Sequence, residues 1–419
     1  MAERRVVINC WGSFGDVYPY IGLAKALTAR GHRTLLAAPS FYRTSVEQEG
    51  LPFATVGCEV DPADRAMFAR VMHPVRGSET VVRDMVIDSL PQTFEQLRAI
   101  VTSSDLLVGH PLTMAVPILA ERRDIPFVST MLAPFGFFSV TDLPVLPLAP
   151  WLARLRGLGA WFGRFVVSAA HRATRAWVEP VQQLRMSLGL ARGGHPLFEG
   201  QFSPALTLAL FSPLLMSPQP DWPPNVRMTG FVFYNGPGAL PPALDVFLDA
   251  GPPPVVFTLG TSAVGVAGGF YRESVAAVAQ LGVRAVLLTG GFPENEPPGA
   301  LPPGVLLVDR APHQLLFPRA SAIVHQGGIG TTAQAMRSGH PMLVVPHAHD
   351  QPDNAFRVTT LGVARTVYPK RYKAARLVRE LRRLFDEGSY AERSASVAET
   401  VRAEDGAAEA AQAIEPLIG

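Results

Sequence analysis

The chain has 419 residues, 48% of them hydrophobic and 17% charged, with a formal net charge of +2. That length suits two or three domains with sizeable cores, and so small a net charge implies no polyanionic partner such as nucleic acid. Two cysteines, Cys10 and Cys58, exclude a disulfide framework and suit a reducing cytoplasm, and no apolar run approaches the ~20 residues of a bilayer span.

Residues 1–5 are charged like the start of a secretory leader, but the apolar run 6–10 is too short for one and ends in a glycine turn. It reads as a first buried strand. A helix is expected over 17–30, with Ile21, Ala24, Leu27 and Thr28 on one face and Gly31 at its end. Further strands are expected over 33–39, 53–57, 106–109 and 127–131. The chain then turns proline-rich over 212–224, 236–242 and 251–254, which suits a semi-rigid linker and loops. A second set of strands follows over 255–259, 285–288, 305–309, 322–325 and 342–345. Strands alternating with helices in this way predict an α/β architecture of parallel sheets covered on both faces.

The string His325, Gln326, Gly327, Gly328, Ile329, Gly330, Thr331, Thr332 follows an apolar strand and precedes a helix expected over 331–338, closed by Gly339. A diphosphate would meet free backbone N–H groups at that helix start, with His325, Thr331 and Thr332 as further donors. Asp350 and Gln351 follow the next strand, where a carboxylate beside a carboxamide suits paired sugar hydroxyls. The other reading is that any strand, glycine turn and helix produces such a string.

The span 310–358 resembles the donor-binding signature of family 1 glycosyltransferases, the bacterial relatives of sterol and flavonoid glycosyltransferases. The resemblance extends to 12–32 and 221–231. Within that family the chain looks most similar to bacterial rhamnolipid rhamnosyltransferases, on Pro220, Asp221, Trp222 and Pro223, on Met228, Thr229, Gly230 and Phe231, and on His349 with Asp350, Gln351, Asp353 and Asn354. It implies the GT-B fold, two facing Rossmann-like domains with a cleft between them. An acceptor domain would cover 1–220, a linker 221–241, a nucleotide-sugar domain 242–393, and 394–419 would return as a helix to the first domain.

The turn of Gly12, Ser13, Phe14, Gly15 and Asp16 lacks the third glycine of a dinucleotide fingerprint, and strand two ends in Ala38, Pro39 and Ser40 without an acid for a ribose. An oxidoreductase reading is therefore poor. In the family, the residue at the position of Asp16 serves as the base; capping the following helix is the other reading, and both can hold at once. Burial beneath an apolar acceptor is expected to raise its pKa. His110 stands where plant relatives carry the aspartate of a His-Asp dyad, so the resemblance implies a dyad with its members exchanged. An edge histidine or an acceptor contact are the alternatives.

The resemblance also implies phosphate contacts from Thr261 and Ser262, stacking of Arg310 on the base, and base pairing by the Ala311 backbone. With His325, Gly328, Gly330, Thr331, Asp350 and Gln351 these complete the expected donor site. Preorganised donors at the departing diphosphate would make a metal unnecessary, and no cofactor is expected. Ala333 stands where the plant signature has a glutamate for the ribose, which leaves UDP or dTDP, and glucose or rhamnose, open. Residues 151–192 mix seven arginines and several aromatics with one acid, Glu179. They read as a peripheral membrane contact or as helices roofing the acceptor pocket. With Phe135, Phe137 and Phe138 they favour a lipophilic acceptor. The expected activity is an inverting, metal-independent hexosyl transfer to a hydroxyl of a hydrophobic small molecule. A nucleotide-sugar epimerase or hydrolase, and a non-catalytic sugar-nucleotide-binding subunit, are the alternatives.

Overall fold

The computed structural model describes residues 4–59, 61, 64–236 and 238–419, and the statements below concern those residues. Residues 1–3 of the charged start and Pro237 of a proline-rich stretch lie outside that set. The apolar runs form two sheets. The first holds β1 (Arg5–Asn9), β2 (Thr34–Ala38), β3 (Phe53–Thr55), β4 (Asp105–Gly109), β5 (Phe127–Met131), β6 (Leu206–Ala209) and β7 (Val226–Met228). The second holds β8 (Val255–Thr258), β9 (Ala285–Leu288), β10 (Val305–Val308), β11 (Ala322–His325), β12 (Met342–Val344) and β13 (Ala364–Thr366).

Their orders are β3-β2-β1-β4-β5-β6-β7 and β10-β9-β8-β11-β12-β13, and each pairing is parallel. Parallel strands need both faces covered, and the side-chain period of two serves both. β1 sends Val6 and Ile8 into one core and Val7 into another. The first of these cores also takes Val256, Ile323 and Met342 of the second sheet, so it runs through both halves.

The final two helices carry that continuity. Ser389–Ala403 packs on Ile329–Ser338 in the second half, and Gly406–Ile418 crosses to pack on Phe14–Ala29 in the first. Arg30 donates to both oxygens of Glu415 at 2.6 and 2.7 Å, and Glu404, between the two helices, accepts from Ser212 Oγ at 2.5 Å.

Three strands escape sequence reading. β6, β7 and β13 are three or four residues long and show no period to detect. β7 pairs with β6 inside the first sheet, although 226–228 falls in the stretch expected to be linker. The returning chain is two helices broken near Glu404, and the first begins at Ser389. The helix expected at 17 begins at Phe14, because Ser13 starts it, and the helix expected at 331 begins at Ile329.

Candidate active site

Each sheet reverses its winding once, between β1 and β4 in the first and between β8 and β11 in the second. Helices leave on opposite faces at such a point, which opens a crevice at the carboxyl ends of the strands. The candidate residues sit at these two crevices.

In the first sheet, Asn9 lies opposite Gly109, so His110 stands beside the turn after β1, and its N–H donates to the Asn9 carbonyl at 3.0 Å. Gly12 takes φ +130°, and a Cβ on it would lie 2.6 Å from Asp16 Oδ2, so the turn requires glycine. That same Oδ2 accepts from the Ser13 N–H at 2.7 Å and from Ser13 Oγ at 2.8 Å, which satisfies a donor at the helix start. Oδ1 is 3.9 Å from His110 Nε2. Because His110 Nδ1 accepts from the Leu112 N–H at 3.1 Å, the ring hydrogen belongs on Nε2, facing Asp16. One carboxylate oxygen thus caps the helix and the other faces the histidine. Burial pushes the Asp16 carboxyl up, yet His110 and Ser13 outweigh it and hold the group below the usual carboxylate range. Asp16 keeps 35% of its side chain open to the cleft, whereas His110 is buried.

Two shallow crevices, one smaller than the other, flank the segment 110–115. Trp11, Cys58, Val86, Leu90 and Met114 line the smaller, along with Asn9. Asn9 donates to the Ala37 carbonyl at 2.9 Å, and its own Oδ1 is buried without a partner. A π-helical segment, Thr80–Ile87, forms part of the wall; such wide turns are frequent at functional sites.

In the second sheet, β11 ends in His325, which is fully buried. Its Nδ1 accepts from the Gly327 N–H at 3.1 Å, so the hydrogen is on Nε2, and that atom has no partner. Burial, helped by His313, holds the imidazole down to about 3, which makes it an uncharged donor at neutral pH. A buried N–H without an acceptor costs about 1–3 kcal/mol, so the arrangement is suited to a ligand atom that accepts. Gln326 Oε1 is a second unpartnered atom beside it. Gly260 has φ +63°, and a Cβ there would lie 2.2 Å from Gln326 Nε2; the turn carrying Thr261 and Ser262 therefore rests on Gln326. Thr331 Oγ1 accepts weakly from Gln326 at 3.4 Å, while the buried Thr332 hydroxyl donates to the Gly328 carbonyl at 2.9 Å. Thr332 is thereby removed from the expected phosphate donors.

Asn354 ties this turn to the residues after β12. Its Nδ2 donates to the Gly327 carbonyl at 2.9 Å and to Asp350 Oδ2 at 2.7 Å. Burial first, then the charge of Asp16 across the cleft, pushes the Asp350 carboxyl up to about 7. Gln351 Oε1 accepts from the His347 and Ala348 N–H groups at 2.9 and 3.2 Å, which leaves its NH₂ for a ligand. Arg310 is exposed and close enough to Tyr18 for its charge to offset part of the burial that raises that phenol; Ala311 is half-buried beside it. Among the described residues, no three His, Cys, Asp or Glu side chains gather as a metal site.

The two halves meet at glycine. A Cβ on Gly330 would come within 3.2 Å of Gly15 Cα, so the first turns of two helices abut across the cleft. Both present their positive ends there, which favours an anion beside the contact. Behind this contact, Asp353 is fully buried and accepts from the Val145 N–H at 2.8 Å, Arg156 Nη2 at 3.3 Å and Arg357 Nε at 2.7 Å. Arg357 also reaches Asp142 at 2.8 Å. Acids and arginines of both halves thus form one network.

Residues 6–136 match the glycosyltransferase family 28 N-terminal domain, and residues 276–417 match the erythromycin biosynthesis protein CIII-like C-terminal domain. The O-mycaminosyltylonolide 6-deoxyallosyltransferase of Streptomyces fradiae is 32% identical, over 98% of this chain and 97% of its own length. The chain belongs to the family 1 GT-B glycosyltransferases. A sterol 3-beta-glucosyltransferase of Aspergillus terreus is 29% identical to this glycosyltransferase over 98% of the chain, which spans 30% of that longer protein. The calicheamicin glycosyltransferase CalG4 superposes with a TM-score of 0.72 at 22% identity, covering 100% of this chain and 99% of its own. Glycosyltransferase VinC, solved with dTDP, gives 0.68 at 25% identity, covering 99% of each chain. The likeness to rhamnolipid enzymes rests on the sequence strings alone.

Sequence reading passed over several residues of this glycosyltransferase. Gln326 and Asn354 lie inside the quoted strings, but their bonds across the turn have no sequence signal. His349 takes φ +57°, a strained value for a bulky residue, and its Nδ1 lies 3.3 Å from Ser78 Oγ of the other half. Phe14, Tyr18, Phe41 and Tyr42 form an edge-packed aromatic cluster that takes in the first turn of the Asp16 helix. Conversely, Phe137, expected near an acceptor, is buried and stacks on Trp222 at 4.0 Å. It belongs to the core.

Proposed function

We propose that this glycosyltransferase moves a hexose from a UDP- or dTDP-sugar to a hydroxyl of a lipophilic natural product, with inversion at the anomeric carbon and without a metal. The observation that carries the proposal is the facing of the two crevices across the Gly15–Gly330 contact: a carboxylate with a histidine on one side, the buried, unpartnered His325 Nε2–H on the other.

Asp16 Oδ1 accepts the proton of the acceptor hydroxyl as its oxygen attacks the anomeric carbon, and the bond to the diphosphate breaks on the opposite face. His110 is the positioning residue, because its Nε2 hydrogen faces Asp16. It steadies the carboxylate and is not itself the base. An acceptor that covers Asp16 displaces water and strengthens the upward push of burial, which brings the carboxyl nearer its task. Charge developing on the departing diphosphate is met by the His325 Nε2–H, by Thr261, Ser262 and Thr331, and by the helix start at Gly328 and Gly330. Asp350 and the NH₂ of Gln351 take the sugar hydroxyls, while Arg310 and the Ala311 backbone take the base.

The Streptomyces fradiae relative is named for transferring a 6-deoxyhexose and the VinC structure holds dTDP, which favours a dTDP-6-deoxyhexose donor here. Ala333 in place of a ribose-binding acid agrees with a deoxyribose. Incubation with UDP-glucose and dTDP-rhamnose against a panel of macrolides, sterols, flavonoids and hydroxy fatty acids tests the reading by mass and anomeric configuration of the product. Transfer with inversion supports it. Release of free sugar with every acceptor would make the protein a hydrolase, and retention would exclude the direct displacement.

A further inference from the structure

The most exposed apolar surface among the described residues lies on the helix Ala160–Thr174 and the turn before it. Trp151, Trp161 and Phe165 are 59%, 60% and 68% exposed, and Leu148 and Leu158 are exposed beside them. At 100° per residue, Trp161, Arg164, Phe165, Arg172 and Arg175 share a single stripe of about 100°. The helix is not waiting for a missing internal partner. Its other side buries Phe162 and Val166 with Leu143, and Gly163 lies so close to Val140 that a Cβ would be 2.0 Å from that carbonyl oxygen.

The charge of this surface is one-sided. Residues 143–178 contain five arginines and no carboxylate. Arg156 turns inward to Asp142 and Asp353, while Arg154, Arg164, Arg172 and Arg175 are exposed; among the described residues no ion pair engages these four. Tryptophan and phenylalanine rings flanked by unpaired guanidinium groups match the boundary of a bilayer, where rings sink among acyl chains and arginines meet phosphates.

We propose that this face docks the enzyme reversibly on an anionic lipid surface. The inward Arg156 and the outward Trp151, Arg154 and Leu158 belong to one turn, so docking would set the domain junction close to the bilayer that dissolves a lipophilic acceptor. The docking itself depends on neither donor nor acceptor.

Co-sedimentation of the full chain with two kinds of vesicle tests the proposal: phosphatidylcholine alone, and phosphatidylcholine with an equal part of phosphatidylglycerol. Partition should be about tenfold or more stronger on the mixed vesicles and should weaken as salt rises. Trp161→Ser with Phe165→Ser, and separately Arg164→Glu with Arg172→Glu, should each weaken it about tenfold or more, with the melting temperature unchanged because these side chains are exposed. No binding to the mixed vesicles, or equal binding to both kinds, overturns the proposal. A dimer in sedimentation velocity that the Trp161→Ser and Phe165→Ser variant abolishes would also overturn it, since the face would then join two copies of this chain.

Discussion

The two crevices occupy the same place in the same topology yet are furnished in opposite ways. At β8 and β11 the strand ends carry glycine turns, a helix start and an uncharged histidine whose Nε2–H has no partner, held by bonds within residues 258–354. At β1 and β4 they carry an acid and a histidine, brought together from positions 16 and 110 only because the two strands are neighbours. Winding supplies the place and side chains supply the chemistry. A half built of fixed donors suits holding an anion; a half built of a titratable pair suits moving a proton.

The largest expected effect falls where the halves join. Asp353→Ala leaves Arg156 and Arg357 facing each other without their buried carboxylate, which should cost about 3–5 kcal/mol in denaturant unfolding. A loss under 1 kcal/mol would mean that the halves do not depend on this network.

Next comes the division within the donor half. His325→Ala should weaken both free nucleoside diphosphate and complete donor by roughly 10- to 100-fold in calorimetry, the range of ~1.5–3 kcal/mol for a hydrogen bond to a charged group. Asp350→Ala should weaken the sugar nucleotide while leaving the bare diphosphate within a few-fold. Equal weakening of both ligands by Asp350→Ala would assign that residue to the phosphate site or to the fold.

The smallest effect reports how the crevices sense each other. The folded Asp350 carboxyl sits at about 7, above the ordinary carboxylate value, so its protonated form contributes stability that is fully present below about pH 4 and lost as pH rises through 7. Asp350→Asn removes that loss. The variant should melt a few degrees above the parent at pH 8, and the gap should close toward pH 4. Because the charge of Asp16 contributes to the shift, the gap should shrink in an Asp16→Asn background. A gap independent of pH would show that Asp350 is not held protonated.

The grouping of His325 to Thr331 with Asp350 and Gln351 was legible because they lie within one stretch of strand, turn and helix, whereas Thr261 and Ser262 join them only through the neighbouring of β8 and β11. What escaped was which bonds those side chains make. Thr332 spends its hydroxyl on Gly328, Gln351 spends its carbonyl on its own turn, and Asn354 binds across the loop, all of which depend on rotamers. In the other half, Asp16 and His110 were legible through the family pattern, but the apolar crevice was not. Its walls come from residues 9–11, 57–58, 86–93 and 112–115, which the fold alone assembles. The downward hold on Asp16 was not legible either, because Ser13 and His110 aimed at one carboxylate leave no mark in the sequence.

The central claim is that proton removal resides in the β1–β4 crevice and donor binding in the other. Measuring turnover and donor affinity on one preparation of Asp16→Asn tests it most directly. Turnover should fall about 100-fold or more, within the 10² to 10⁴ typical of general base catalysis, while the donor Kd stays within about threefold. Turnover within a few-fold of the parent, or a donor Kd weakened in step with turnover, would contradict it.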